Sequence, residues 1–193
     1  MDAAAETDSA LARAARDGDV ESYGRLVARY QGLAHRTAFL LGAAEDTQDV
    51  VQESFVKAYL ALGRFRLDEP FRPWLLTIVA NEARNRRRWF ARHRSVPLSL
   101  VGEALPPAPG PGPDVLAEQR AASTALRDAI AQLPPRQREA ITCRYLLDLS
   151  EDETARVLGI PRGTVKSRLS RGLRALRAVL TRAAATDRER SDV

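Results

Sequence analysis

The sequence predicts an all-α protein: two small helical domains joined by a Pro/Gly-rich linker, the C-terminal one containing a helix-turn-helix. Three observations carry this. Ala, Leu, Arg and Glu dominate, aromatics are only 6%, and β-branched alternating runs are few, so the composition favours helix. Pro97, Pro106, Pro107, Pro109, Pro111 and Pro113 fall within 17 positions, with Gly102, Gly110 and Gly112 among them, a stretch that can form neither helix nor sheet. After it, Leu149–Leu176 reads LSEDETARVLGIPRGTVKSRLSRGLRAL, two helix-forming stretches around a glycine.

The first domain is expected at 9–94. Asp19 can cap a helix whose apolar face is Tyr23, Leu26, Val27 and Tyr30, spaced i, i+3, i+4, i+7. A further helix through Leu33, Ala34, Ala38 and Leu41 is stopped by Gly42. The next starts near Ala44, carries Val50, Val51, Phe55 and Tyr59, and ends at Leu62 before Gly63. Phe65–Pro70 is a loop. Phe71 to about Arg92 is helical again, with Trp74, Leu75, Ile78 and Val79 inward. Trp74 is read as core.

The linker is expected at 95–118. Extended as polyproline, Ser95–Glu118 would reach roughly 75 Å, enough to let the two domains act at separate places. The second domain is expected at 119–183. A helix runs from near Leu116 to about Gln132. Pro135 then suits the first turn of a helix reaching Leu147. In the helix-turn-helix, Ser150 can cap and Glu153 stands where a capping box needs a carboxylate. Gly159 supplies the left-handed turn. Ile160, Val165 and Leu169 mark the buried side of the last helix, and residues after about Ala184 read as a frayed polar tail.

Charge is sorted along the chain. The net charge is +5, from 30 Lys+Arg against 25 Asp+Glu. Residues 37–56 hold Glu45, Asp46, Asp49 and Glu53 without a cation, while residues 84–94 hold six Arg without an acid. From Thr154 to Thr186 there are eight Lys or Arg and no acid. A helix carrying Lys166, Arg168, Arg171, Arg174 and Arg177 around a narrow apolar seam suits a major groove and its phosphates, so sequence-directed DNA binding is expected. The acidic stretch repels phosphate, so it should face protein.

Cys143 is the sole cysteine, which excludes an internal disulfide, and with His35 and His93 it gives too few ligands for a zinc site. It is read as a small core residue. No apolar run reaches membrane-spanning length and no leader pattern opens the chain, so a cytoplasmic protein without membrane insertion is expected. No cofactor is expected. No nucleophile–base pair, phosphate loop or paired-carboxylate site emerges.

Three segments in order, Ala44–Leu62 (AEDTQDVVQESFVKAYLAL), Phe71–Arg88 (FRPWLLTIVANEARNRRR) and Leu133–Leu176, resemble the extracytoplasmic-function (ECF) sigma factors, the two-domain class of bacterial RNA polymerase specificity subunits. The resemblance implies sigma region 2 in the first domain and region 4 in the second. It implies that Asp46, Asp49, Gln52 and Glu53 grip the β′ clamp helices of RNA polymerase core, which also offers its β subunit. Asn81, Arg84, Asn85, Arg87 and Arg88 would read and open the minus-ten element, Asn81 in a pocket for a flipped-out base. Arg86 would join them on phosphate. Arg162, Thr164, Lys166, Ser167, Arg168, Ser170 and Arg171 would dock on the minus-thirty-five element. The loop Phe65–Pro70 reads FRLDEP where the family usually has an FRGxS-like form. An anti-sigma factor is implied as a further partner. No catalytic site is needed, because polymerase core does the chemistry.

A stand-alone helix-turn-helix regulator is the alternative. It predicts a receiver or ligand-binding domain with strands upstream, and the upstream block is all helix. A nucleic-acid enzyme would need carboxylates or His beside the basic helix, and the acids lie far away in sequence.

Overall fold

The computed structural model describes residues 7–93, 124–126 and 128–191. Among the described residues every regular element is helical: α1 (Asp8–Arg16), α2 (Val20–Ala38), α3 (Thr47–Ala61), α4 (Phe71–His93), α5 (Pro135–Ile141), α6 (Glu151–Leu158) and α7 (Arg162–Ser191). They form two compact units. One gathers the described residues of Met1–Leu98 with Asp152–Gly159; the other gathers those of Ser99–Glu151 and Ile160–Val193. The Pro/Gly-rich linker expected at 95–118, and its reach, lie outside the described residues.

In the first unit, α1 buries Leu11, Ala12 and Ala15. It is fastened to α2 through Asp8, which accepts from the Tyr30 hydroxyl and from Arg29. Asp19 caps α2 as expected, its carboxylate accepting from the backbone N–H of Glu21 (3.0 Å) and Ser22 (3.3 Å). The Ser22 hydroxyl donates to the same carboxyl and helps hold it below the usual range.

The two helices expected across Tyr23–Leu41 are one. α2 runs unbroken through Gly32 to Ala38 and continues as a π segment, Phe39–Ala43. An interior glycine costs only about 1 kcal/mol. The apolar stripe of Leu26, Ala34, Ala38 and Leu41, all buried, passes straight across it and outweighs that cost. Gly42 does end the run, at φ +97°. A side chain there would be strained by this backbone and would also meet Arg87 Cδ at 3.1 Å.

α3 buries Val50, Val51, Phe55 and Ala58, and its interior Ser54 is satisfied by donating to the Val50 carbonyl at 2.6 Å. The segment 65–70 is a loop, as expected, with Arg66 paired to Asp68 at 2.9 Å. α4 supplies the centre of the unit with Phe71, Leu75, Leu76, Val79, Ala80 and Ala83. Phe71 meets the rings of Tyr30 (5.5 Å), Phe65 (5.6 Å) and Trp74 (5.4 Å). Trp74 is half-buried against Phe65 and Phe71, in keeping with a packing role. Ile78, expected inward, is only half-buried. The segment 152–159 joins this unit: Arg84 donates to the Val157 carbonyl (2.6 Å), and Arg72 lies 3.7 Å from Glu153.

In the second unit, Pro135 occupies the first turn of α5, where its missing N–H costs nothing. α5 passes into a π segment, Thr142–Leu146, and Cys143 within it is fully buried, a small core residue as expected. Val165 and Leu169 of α7 are buried; Ile160 is half-buried. Gly172 lets α7 approach α5 closely, since a Cβ there would stand 3.0 Å from Ile141 Cγ1. The tail expected to fray after Ala184 is instead helix to Ser191. Leu173–Arg190 contains neither Gly nor Pro and is rich in Ala, Leu and Arg, so propensity carries the helix on.

Candidate nucleic-acid interface

α4 presents its polar side in two ways. Asn81, Asn85 and Arg88 are exposed, and Arg88 donates to Asn85 Oδ1 at 2.7 Å. Arg84, Arg86 and Arg87 are half-buried. Arg87 lies over Gly42 and donates to the Leu41 carbonyl at 3.4 Å, closing the end of the π segment. Arg86 reaches α3, 3.5 Å from Asp46 and 3.8 Å from Glu53. Arginines that the sequence presents as one run of cations thus divide between surface and structure.

The acidic edge of α3 divides similarly. Asp49 and Gln52 are exposed. Asp46 is half-buried and pairs with Arg86. Glu53 pairs with Lys57 at 2.8 Å, and Lys57 also reaches Glu82 of α4 at 2.7 Å. The hydrogen bond from Lys57 is the main cause that holds the Glu53 carboxyl below its usual range, and Glu53 in turn raises Lys57. This chain of charges, Asp46–Arg86–Glu53–Lys57–Glu82, ties α3 to α4. Its i, i+4 pair of Glu53 and Lys57 is readable in sequence. The roles of Glu82 and Arg86 are not, because their partners lie 25 to 40 residues earlier in the chain.

In the second unit, the first turn of α7 is anchored by Arg162, whose Nε donates to Glu151 at 3.0 Å; Lys166 stands 3.9 Å from the same carboxylate. The Ser167 hydroxyl donates to the Thr164 carbonyl (3.0 Å). Arg171 folds back along the helix, donating to the Ser167 carbonyl (3.1 Å) and hydroxyl (3.2 Å). Lys166, Ser167, Ser170, Arg171 and Arg174 are exposed; Thr164 and Arg168 are half-buried. Gly159, at φ +64°, ends α6 and donates its N–H to the Arg156 carbonyl, forming the turn that precedes α7. Among the described residues no group of His, Cys, Asp and Glu is gathered that could hold a metal ion. Nor is any helix among them long and apolar enough to cross a membrane.

Two family models match the chain, sigma-70 region 2 over residues 26–92 and sigma-70 region 4 over residues 123–176. The chain is 37% identical over 187 residues to the ECF RNA polymerase sigma-E factor of Escherichia coli strain K12, covering 88% of this chain and 92% of that one. The chain belongs to the ECF sigma factors. It is 36% identical over 185 residues to the RNA polymerase sigma-H factor of Pseudomonas aeruginosa, covering 89% of this chain and 92% of the relative. Among solved structures it is similar to CnrH in complex with the cytosolic domain of CnrY, with a TM-score of 0.67, 31% identity, and coverage of 91% and 98% of the two chains. It shares its fold with the sigma factor RpoE of Bartonella quintana, solved with the anti-sigma factor NepR, at a TM-score of 0.65 and 24% identity. As an alternative sigma factor, this protein directs promoter-specific transcription initiation, and it has no catalytic site of its own.

Proposed function

We propose a division of labour for the two domains, region 2 at 9–94 and region 4 at 119–183, joined by the linker at 95–118. The observation that carries it is the sorting of charge on α3 and α4. Asp46 and Glu53 are tied down by Arg86 and Lys57, while Asp49 and Gln52 stand exposed on α3 and Asn81, Asn85 and Arg88 stand exposed on α4. The α3 edge docks on the β′ clamp helices, with Asp49 and Gln52 in contact and Asp46 and Glu53 holding the edge in place. Asn81 offers both a donor and an acceptor to a flipped-out base at the minus-ten element. Asn85 and Arg88 engage neighbouring bases or phosphate, and Arg84 and Arg87 fix the helix that carries them.

α7 enters the major groove at the minus-thirty-five element. Lys166 and Arg171 face base edges, where either suits guanine O6 and N7. Arg162, Thr164, Ser167, Arg168 and Ser170 hold the helix in register, partly on phosphate near its N-terminus. The protein works in the cytoplasm, where polymerase and promoter are. An anti-sigma factor is its regulator, as the relatives solved with CnrY and NepR suggest.

Asp49→Lys tests the docking edge cleanly, because Asp49 belongs to none of the ion pairs that join α3 to α4. Association with core polymerase should weaken markedly while the far-ultraviolet circular dichroism stays unchanged. Undiminished co-purification would remove this face from the account. Arg171→Ala should cost roughly 1–3 kcal/mol of promoter discrimination if the guanidinium grips a base bidentately. The measurement is competition between cognate and mutated minus-thirty-five elements. Equal weakening on every sequence would make Arg171 a phosphate contact.

A further inference from the structure

Asn81 and Asn85 stand exposed on α4, one turn apart, and the residue after each turns back to α3. Glu82 follows Asn81 and meets Lys57 Nζ of α3 at 2.7 Å. Arg86 follows Asn85 and lies 3.5 Å from Asp46 and 3.8 Å from Glu53. The ties run both ways: a cation of α3 reaches an acid of α4, and a cation of α4 reaches the acidic edge of α3. Glu82 is the most sheltered of the three carboxylates, its side chain 14% exposed against 23% for Asp46 and 46% for Glu53. Lys57 also donates to Glu53, at 2.8 Å. Its hydrogen bonds to Glu53 and Glu82 raise the ammonium above the usual lysine range, so it is charged at neutral pH.

A carboxylate next to Asn81 is out of place on a surface meant for DNA, because it repels phosphate. Sheltering it also costs desolvation. The neighbouring packing shows what it gains. Fully buried residues flanking the pair are small: Ser54 and Ala58 on α3, Ala80 and Ala83 on α4. Small side chains raise low ridges, so apolar packing specifies the rotation of α4 only loosely along this stretch. A rotation of about 20° would carry a group at the helix rim, about 5–6 Å from the axis, through about 2 Å. A displacement of that size spoils an oriented contact. The ion pair at Glu82 resists it, because its partner is rooted on α3. Selecting one arrangement among near-equals is the best attested use of such sheltered charges.

We propose that Lys57 and Glu82 are positioning residues for base capture: their ion pair sets the rotation of α4 on α3 and so aims the Asn81 amide. The inference rests on the reading of Asn81 as the residue that holds the flipped-out base.

The signs of the two charges make the test sharp. Acting on DNA simply as charges, Lys57→Met would slow promoter opening and Glu82→Gln would speed it. As a positioning pair, both slow it. With purified holoenzyme assembled from the full chain and core polymerase, each variant should open the promoter roughly 10-fold more slowly, within the span of coupling between contacting side chains. The double variant should be no slower than the slower single, and Lys57→Arg, which keeps a cation for Glu82, should open at close to the wild-type rate. The deciding readout is the Asn81→Ala background. Glu82→Gln should add no further loss there, since no amide is left to aim, whereas a pair that merely stabilises the fold would cost the same in both backgrounds. Faster opening with Glu82→Gln, or losses that multiply when it is combined with Asn81→Ala, would overturn the proposal. Unchanged opening with Glu82→Gln, while Asn81→Ala is impaired, would overturn it and leave the Asn81 pocket standing. Unimpaired opening with Asn81→Ala would remove the pocket itself, and the inference with it.

Discussion

Gly172→Val should destabilise the second unit by about 1–3 kcal/mol, the usual range for forcing extra carbons into a packed contact. That is a large part of the 5–15 kcal/mol that typically holds a domain together. The reason is local. A Cβ at Gly172 would stand 3.0 Å from Ile141 Cγ1, 3.3 Å from Ile141 Cδ1 and 3.5 Å from Gln137 Cβ. Ile141 is itself buried, so it has little room to retreat. Valine adds two further carbons and β-branching, and it pushes α5 off α7. Alanine sets two effects against each other: it gains about 1 kcal/mol of helix propensity over glycine and loses some of it to the tight contact. Hydrogen exchange at the amides of α5 reads the effect directly, and trimming the neighbour with Ile141→Val should restore part of the loss. Unchanged protection in Gly172→Val would mean that α5 and α7 do not meet at this close distance. Because α7 also carries Lys166 and Arg171, minus-thirty-five binding should fall in parallel.

Asn81→Ala should abolish most open-complex formation while leaving core association intact. Asn81 is exposed on α4. Truncating it therefore leaves the core untouched. If its amide makes two hydrogen bonds to a base edge, losing them costs roughly 1–3 kcal/mol, about 5- to 150-fold in equilibrium terms. The comparison to make is permanganate reactivity of the melted bases against core affinity by titration. An unchanged open-complex yield would show that the captured base lies elsewhere.

The helices of both units were legible because their apolar residues recur at helical spacing and their stops are local. Asp19 capping α2, Gly42 ending its π extension and Pro135 opening α5 are each decided within a few residues. Local signals mislead where they are weak against packing or propensity. The helix through Tyr23–Tyr30 and the one through Leu33–Leu41 run together as α2, because the buried stripe of Leu26, Ala34, Ala38 and Leu41 is continuous. The polar character of Thr186–Ser191 suggested fraying, yet nothing there breaks a helix. The functional surfaces were only half legible. Arg86, Arg87 and Arg88 look alike in sequence, but Arg86 finds Asp46 and Glu53, Arg87 finds Leu41 and Gly42, and Arg88 remains at the surface. Those partners lie 33 to 46 residues earlier in the chain, a separation at which no periodicity argument operates. Lys57 was missed as the link between α3 and α4 for the same reason.

The most direct test of the account is to assemble the full chain with bacterial core polymerase and run off transcripts across a genomic promoter library. Saturable core binding is expected, with transcripts from a small promoter set sharing a minus-ten and a minus-thirty-five motif; Asn81→Ala should fail at the first and Arg171→Ala should lose selectivity at the second. DNA binding without core association, and no transcripts above those of core alone, would contradict it.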